Sequence, residues 1–372
     1  MKTRAAVLYG ANQPFQVEEI ELDEPKEREV LVHLVATGMC HSDWHFVTGD
    51  HPVHYPMVVG HEGAGIVERV GPGVTEVKPG DHVLVTFIPP CGRCRWCSTG
   101  LTFLCDRGAG ATLGPQLDGT YRMHTKDGQD IGQFAYISTF SEWTVCPVDA
   151  VVRVDDDLPL DKICLASCCV PTGFGAAINR AEVRPGDTVA IFGIGGVGIN
   201  AVQGAAAGGA AKVIAVDLLD YKLEMAEEMG ATHTINNSRE DPVERILELT
   251  NGVGADKTIV TIDVVRPEHV GMAYRATRKA GRTVVVGLAP VDEDHIDVPP
   301  SDLVLLGKEV VGTLYGHSNP RADFARYLEL YRLGKLKIDE LITRTYTLDQ
   351  INEGFRDMLD GRNIRGVIVY QQ

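Results

Sequence analysis

Apolar positions in the first third of the chain fall in short β-branched runs split by turn signals: Glu29-Val-Leu-Val-His-Leu-Val-Ala, Ala64-Gly-Ile-Val-Glu-Arg-Val-Gly-Pro-Gly and Lys78-Pro-Gly-Asp-His-Val-Leu-Val. Runs of this length and spacing predict a mostly antiparallel β domain. From about Pro185 the pattern changes. Apolar stretches at 188–193, 213–217, 232–235, 258–263 and 283–287 predict buried parallel strands, and 221–229, 243–249 and 268–279 between them carry helical periodicity. Alternation of this kind predicts a doubly wound α/β sheet. After Val310 two amphipathic segments, 322–333 and 348–359, precede a last strand at 366–370, which either extends the sheet or returns to the first domain. The chain has no repeat at solenoid periods and no low-complexity tail.

One stretch imitates a membrane span, because 188–211 holds no charged residue and is long enough to cross a bilayer. Glycines at 193, 195, 196, 198, 204, 208 and 209, with Asn200 and Gln203, favour a strand–turn–helix instead. At 372 residues the chain exceeds one core, and about two domains are expected. Its 35 Lys+Arg against 51 Asp+Glu give a net charge of −16, which repels nucleic-acid phosphates and anionic membranes. The polar start Met1-Lys-Thr-Arg lacks a secretory pattern and predicts a cytoplasmic protein. Nine cysteines, an odd number, point to metal ligation or burial rather than a disulfide framework.

Gly193-x-Gly195-Gly196-Val197-Gly198 follows the first α/β strand and opens a helix. Glycines there permit a tight turn and close approach of backbone to a pyrophosphate, which the helix N-terminus attracts. Asp217 ends the next strand, nineteen residues beyond Gly198. A carboxylate at that position binds a ribose diol and repels a 2′-phosphate, predicting NAD(H) over NADP(H). The bland alternative is a glycine-rich turn that only packs a helix.

Cys91-Gly-Arg-Cys94-Arg-Trp-Cys97 with Cys105 offers four thiolates to a structural zinc, and a closed Cys₄ site orders a loop without doing chemistry. An iron–sulfur cluster could use the same thiolates. Cys40, His61 and Cys168 stand apart in the sequence, and spacing alone does not join them into one site. Each alone also reads as an ordinary buried cysteine or paired histidine.

With these motifs the chain resembles the zinc-dependent medium-chain alcohol dehydrogenases along essentially its whole length, including Gly-His-Glu-Gly-x-Gly at 60–65. Within that family it is most similar to the nitrosoaniline-dependent, nicotinoprotein-type enzymes associated with mycofactocin. That closer match rests on Cys40-His-Ser-Asp-Trp-His-Phe-Val-Thr-Gly-Asp and Phe192-Gly-Ile-Gly-Gly-Val-Gly-Ile-Asn-Ala-Val-Gln-Gly-Ala. The resemblance implies a GroES-like catalytic domain over 1–169, a Rossmann NAD-binding domain over 170–312, and a return segment, 313–372, packing on the first.

It also implies roles by position. Cys40, His61 and Cys168 would hold a catalytic zinc with Glu62 beneath it; Cys169 leaves a register ambiguity in which counting back from Thr172-Gly173 favours Cys168. Asp43 would hold the second nitrogen of His61. The zinc would act as a Lewis acid on an alcohol, with Ser42 taking the proton and passing it through the cofactor ribose to His45. Phe87 and Phe134 would line an apolar substrate channel. Thr172, Lys222, Val286 and Arg365 fall at the family's cofactor contacts, and His41 stands where many relatives carry Arg, which weakens any pyrophosphate grip there. The substrate is thus expected to be a small alcohol or aldehyde, with NAD possibly retained and recycled by a mycofactocin-type acceptor.

The nearest rival is the glutathione-dependent formaldehyde dehydrogenase branch, whose adduct-binding Asp and Arg positions are His51 and Ala109 here. Without that Arg a carboxylate adduct lacks a bidentate partner. A non-catalytic NAD-binding protein on the same scaffold is a second alternative, and a zinc-free quinone reductase a third, against which Cys40 and the cysteine-rich loop speak. The apolar run 310–315 offers a surface to a second copy. The segment 108–139 resembles the loop kept by dimeric relatives, so a homodimer is expected, with a homotetramer as the alternative.

Overall fold

The computed structural model describes residues 1–51 and 53–371. It separates into two units, one of 1–168, 319–333 and 338–372, the other of 169–318 and 334–337. These limits differ from the expected 169/170 and 312/313 for local reasons. Asn179 Nδ2 donates to the Gly316 carbonyl at 3.0 Å, holding the turn at 315–317 to the second unit. The Gln203 amide clamps both backbone groups of Lys337, donating at 3.0 Å and accepting at 2.8 Å.

The first unit is built of β-strands. Lys2–Leu8, Gln16–Leu22, Met123–His124, Asp130–Gln133 and Met57–Val58 close a small barrel. Beside it runs a sheet ordered Val151–Arg153, His82–Val85, Glu62–Val70, Glu29–Gly38, Arg365–Val369, Ile342–Tyr346, with Trp143–Pro147 also pairing to Glu29–Gly38. Pairing is antiparallel apart from Met57–Val58 with Asp130–Gln133 and Ile342–Tyr346 with Arg365–Val369. The last strand therefore returns to the first unit, Val367 lying opposite Gly38. Val30, Leu31, Val32 and Leu34 are all buried, as a strand covered on both faces requires, and this is why the run lacks alternation.

In the second unit six parallel strands lie in the order His233–Asn236, Lys212–Asp217, Thr188–Phe192, Ala255–Val260, Thr277–Val285, Glu309–Gly312. The chain order reverses between Thr188–Phe192 and Ala255–Val260, and ligands of such sheets bind at the carboxyl ends beside that reversal. The uncharged stretch 188–211 is a strand followed by the helix Gly196–Ala207. Among the described residues no helix is long and apolar enough to cross a membrane. One expectation fails: the helix foreseen over 268–279 is Pro267–Ala276, and Thr277 opens the next strand. The Thr277 hydroxyl bonds the Ala273 carbonyl at 2.8 Å and the hydroxyls of Thr258 and Thr283 at 2.8 and 2.9 Å, so buried threonines pull the chain into the sheet.

A buried ion pair fastens the barrel to the sheet. Arg122, fully buried, donates Nε and Nη2 to the two carboxylate oxygens of Glu29 at 2.8 and 2.6 Å, and Nη2 also reaches Asp118 at 2.8 Å. Removing one member strands the other in low dielectric. Arg122→Ala is expected to lower stability by about 3–5 kcal/mol in urea titrations, and Arg122→Met with Glu29→Leu to recover most of it. A single-variant loss below about 1 kcal/mol would assign this pair the modest worth of a surface bridge.

Candidate metal centres and nucleotide site

Three turns of the first unit converge on one buried cluster. Cys40 lies two residues past the strand Glu29–Gly38 and precedes the helix His41–Thr48; His61 immediately precedes the strand Glu62–Val70, which Glu62 opens; Cys168 follows the helical turn Cys164–Ser167. Their sulfur, nitrogen and oxygen atoms all lie within 4.8 Å of one another, and all four residues are buried. Cys168 supplies the sulfur, whereas Cys169 receives the Asn200 amide at 3.9 Å in the second unit. His61 Nδ1 meets Asp43 Oδ1 at 2.9 Å, leaving Nε2 for the cluster, and the same oxygen accepts the Gly60 amide at 3.0 Å.

The cluster crowds opposing charges into a buried space. A hydrogen bond from Cys168 and then the positive His61 and Arg365 hold the Cys40 thiol well below its ordinary range. Burial works against a charged His61, but Asp43 and the Cys40 thiolate raise it well above that of a free imidazole. Burial pushes Glu62 up to about 7, although Arg365 Nη2 sits 2.5 Å from its Oε2. Its Oε1 is buried without a hydrogen-bond partner. Two thiols, an imidazole and an unsatisfied carboxylate oxygen make a donor set that suits zinc. Gly38 makes room for it: a Cβ there would lie 2.2 Å from Glu62 Oε2.

The second set is local. The sulfurs of Cys91, Cys94, Cys97 and Cys105 also lie within 4.8 Å of one another. Backbone amides point at them: Cys94 N at Cys91 Sγ, Cys97 N at Cys94 Sγ and Cys91 N at Cys105 Sγ, at 3.2, 3.4 and 3.3 Å. The amide of Cys97 and that of Asp106 pull Cys94 down to about 6, while burial pushes Cys97 up to about 12. Four thiols held this close without carboxylates fit a structural zinc.

Phe87 and Phe134 stand edge-on to the His61 ring, centroids 5.4 and 5.7 Å away. Phe134 is carried by a segment that the sequence did not disclose. Ala135, Tyr136 and Ser138 have φ of 54°, 65° and 46°, left-handed values rare outside glycine. Hydrogen bonds pin them: Ala135 N to the Ala111 carbonyl at 2.6 Å, Gln116 Nε2 to the Tyr136 carbonyl at 2.9 Å, and the Tyr136 hydroxyl to the Arg107 carbonyl at 2.8 Å. Arg107 is two residues from Cys105. Ser42 Oγ lies 3.6 Å from Cys40 Sγ, and His45 is buried on the next turn of the same helix.

In the second unit the glycine motif lies between Thr188–Phe192 and Gly196–Ala207. A Cβ on Gly198 would meet the Gly193 carbonyl at 1.9 Å, so helix and turn touch only because glycine is there. Thr261 Oγ1 donates to the Gly193 carbonyl at 2.6 Å. Asp217 braces the same loop: Oδ2 accepts the Ile194 amide at 2.7 Å and Oδ1 the Leu218 amide at 2.8 Å. Gly195, Gly196 and Val197 open the helix, and Val286 follows its strand directly, its amide on the Val260 carbonyl at 2.9 Å. Lys222 lies in Asp220–Glu228 and Thr172 in Cys169–Gly175. The two other expected cofactor contacts, His41 and Arg365, belong to the first unit, where Arg365 is engaged by Glu62.

Asp43 acts on the cluster only through His61. Asp43→Asn keeps the size and an acceptor oxygen but removes the charge, so the centre should hold zinc about 10–100-fold less tightly. Chelator competition followed by elemental analysis checks it. One equivalent per chain should leave early while the cage equivalent stays; loss of both together, or of neither, would break the assignment.

The chain matches the model of the alcohol dehydrogenase GroES-like domain over residues 26–156 and that of the zinc-binding dehydrogenases over 196–332. It is 48% identical to the NDMA-dependent alcohol dehydrogenase of Amycolatopsis methanolica, over 100% of this chain and 99% of the relative. Its identity to the S-(hydroxymethyl)glutathione dehydrogenase of Paracoccus denitrificans is 42%, with both chains covered in full. The crystal structure of benzyl alcohol dehydrogenase from Acinetobacter calcoaceticus superposes with a TM-score of 0.93 at 32% identity, again over 100% of each chain. Full-length identity of this order, two matching domain models and the cysteine–histidine geometry lead to one conclusion: the chain belongs to the zinc-dependent medium-chain alcohol dehydrogenase family.

Proposed function

We propose that this chain transfers hydride between a primary or apolar alcohol and NAD, with zinc at Cys40, His61 and Cys168 and a second, structural zinc at Cys91, Cys94, Cys97 and Cys105. The observation that carries the reading is the buried Cys₂His cluster with Phe87 and Phe134 edge-on to its histidine. Zinc bound there supplies Lewis acidity that lowers the pKa of an alcohol hydroxyl. Every other task falls to side chains. Asp43 fixes the tautomer of His61; Ser42, next to the cluster, takes the substrate proton; buried His45 holds it on the way to solvent. The two phenylalanines exclude water and favour an apolar substrate.

For the nucleotide, the Gly193–Gly198 turn admits a pyrophosphate, and Lys222, Thr172 and Val286 lie on the same unit. Asp217, already accepting backbone amides, would repel a 2′-phosphate, which favours NAD over NADP. The reading includes NAD retained through turnover and recycled by an external, mycofactocin-type acceptor; the Amycolatopsis relative is named as NDMA-dependent. The second reading, oxidation of S-(hydroxymethyl)glutathione, draws on the Paracoccus relative. Exposed Ala109, in place of Arg, offers an anionic adduct no bidentate partner. Six of the nine cysteines are metal ligands in this reading, which suits a reducing cytoplasm.

The protein is further proposed to be a homodimer. Glu309–Gly312 is an edge strand with one neighbour, and Val304 and Leu305 nearby are 81% and 79% exposed. A second copy would cover this edge. Light scattering should give twice the chain mass, or four times for a dimer of dimers; a monomer at micromolar concentration would remove the proposal.

Retention of the cofactor is tested by denaturing the purified protein and measuring released NAD(H). Near one equivalent per chain is expected, with oxidation of benzyl alcohol supported by a nitrosoaniline acceptor and no added NAD. An empty protein that turns over only with free NAD would restore an ordinary exchangeable cofactor.

A further inference from the structure

The proton exit at His45 is built by the end of its own helix. His41–Thr48 stops at Gly49, whose φ of 82° is left-handed and suits glycine. The chain then folds back so that the His45 carbonyl accepts two amides, from Gly49 at 3.1 Å and from His51 at 3.3 Å. That reversal brings the Asp50 carboxylate to the imidazole five residues earlier: Oδ2 lies 3.1 Å from His45 Nδ1. The Thr48 hydroxyl donates to the same oxygen at 2.8 Å, steadying the carboxylate.

Exposure differs along the pair. His45 has a side-chain exposure of 2% and Asp50 of 31%, so the carboxylate runs from a buried imidazole toward solvent. The His41 and His51 rings flank His45 at 5.8 and 5.3 Å, both near edge-on. Asp50 is thus an anion within hydrogen-bond reach of His45 in a cluster of three imidazoles.

We propose that Asp50 is a positioning residue of the proton exit: by accepting the Nδ1 proton of His45 it fixes the neutral imidazole in the tautomer whose Nε2 is bare and basic. The claim rests on the dehydrogenase reading, in which His45 takes up the proton released when an alcohol is oxidised. That proton would bind Nε2 while Nδ1 keeps its own, and the resulting imidazolium, stabilised by the Asp50 charge, would then release a proton to water. The turn Thr48-Gly49-Asp50 thereby acquires a chemical role beyond ending a helix.

Two measurements on the protein as purified test this. In 15N spectra of histidine-labelled wild type, His45, assigned by its loss in His45→Gln, should show a protonated Nδ1 and a bare Nε2. Asp50→Asn should shift it to a mixture or to the opposite tautomer, and Asp50→Glu should restore the wild-type pattern. In parallel, kcat for benzyl alcohol, with NAD or the nitrosoaniline acceptor as wild type requires, should fall about 10–100-fold in Asp50→Asn. KM should stay within about twofold, and Asp50→Glu should recover much of kcat.

An unchanged tautomer in Asp50→Asn overturns the proposal, as does an unchanged kcat. Equal loss in Asp50→Glu and Asp50→Asn with a lowered melting temperature in both would mean that Asp50 only closes the helix. Wild type inactive toward every alcohol would sink the dehydrogenase reading instead, a failure that the tautomer spectra separate from this one.

Discussion

The cost of taking charge out of water governs the first unit. Cys40, His61, Glu62, Cys168, Asp43 and Arg365 are all buried. Isolated ions in such surroundings are unfavourable by several kcal/mol each, and they persist only when paired and hydrogen-bonded. Some of the pairing is internal, Asp43 with His61 and Glu62 with Arg365. It is incomplete, because Asp43 Oδ2 and Glu62 Oε1 are buried without partners and two thiols stand beside an imidazole. The ligand atoms of Cys40, His61, Glu62 and Cys168 converge on one point from three separate turns. A divalent cation there would turn the least favourable part of the interior into a cross-link between distant segments, with the surrounding strands as its support. Arg365 reaches Glu62 only because the final strand pairs antiparallel with Glu29–Gly38.

What the sequence could disclose followed the range of each interaction. The Cys₄ loop was legible because all four sulfurs come from one short stretch, where spacing alone dictates convergence. The glycine motif was legible because strand, turn, helix and acid succeed one another locally. Cys40, His61 and Cys168 were not legible as a set from spacing; the family resemblance joined them, and the fold brings their ligand atoms within 4.8 Å. The end of the helix at Ala276 was misjudged since periodicity continues through Lys279. What overrides it is a tertiary contact, Thr277 with Thr258 and Thr283.

The least legible feature is backbone strain. Left-handed Ala135, Tyr136 and Ser138 carry no glycine to announce them. Such conformations cost about 1–3 kcal/mol each and survive only where surroundings over-determine them. Here the surroundings are the carbonyls of Ala111, Arg107 and Val58, which receive the Ala135 amide and the Tyr136 and Ser138 hydroxyls at 2.6, 2.8 and 2.5 Å. Two of those carbonyls belong to the stretch that follows Cys105. The wall that Phe134 presents to His61 is thus mounted on the loop leaving the sulfur cage.

This mounting gives the cage a purpose that its chemistry does not. A closed four-thiolate site cannot bind substrate, and the residues around it form little core: Cys91, Cys94 and Cys97 are only partly buried. Without an ion, the segment from Pro90 to Ala111 would be held by short helical turns, the longest spanning five residues, by buried Phe103 and by a few contacts such as the Arg107–Asp149 ion pair. Ordering entropy of about 1–2 kcal/mol per residue exceeds what such turns return. A metal bound by four sulfurs would supply the difference, and the order it imposed would pass through Arg107 and Tyr136 to Phe134. In the proposed reading the two metal centres are mechanically connected: one would act on the substrate, and the other would set the position of Phe134 beside it.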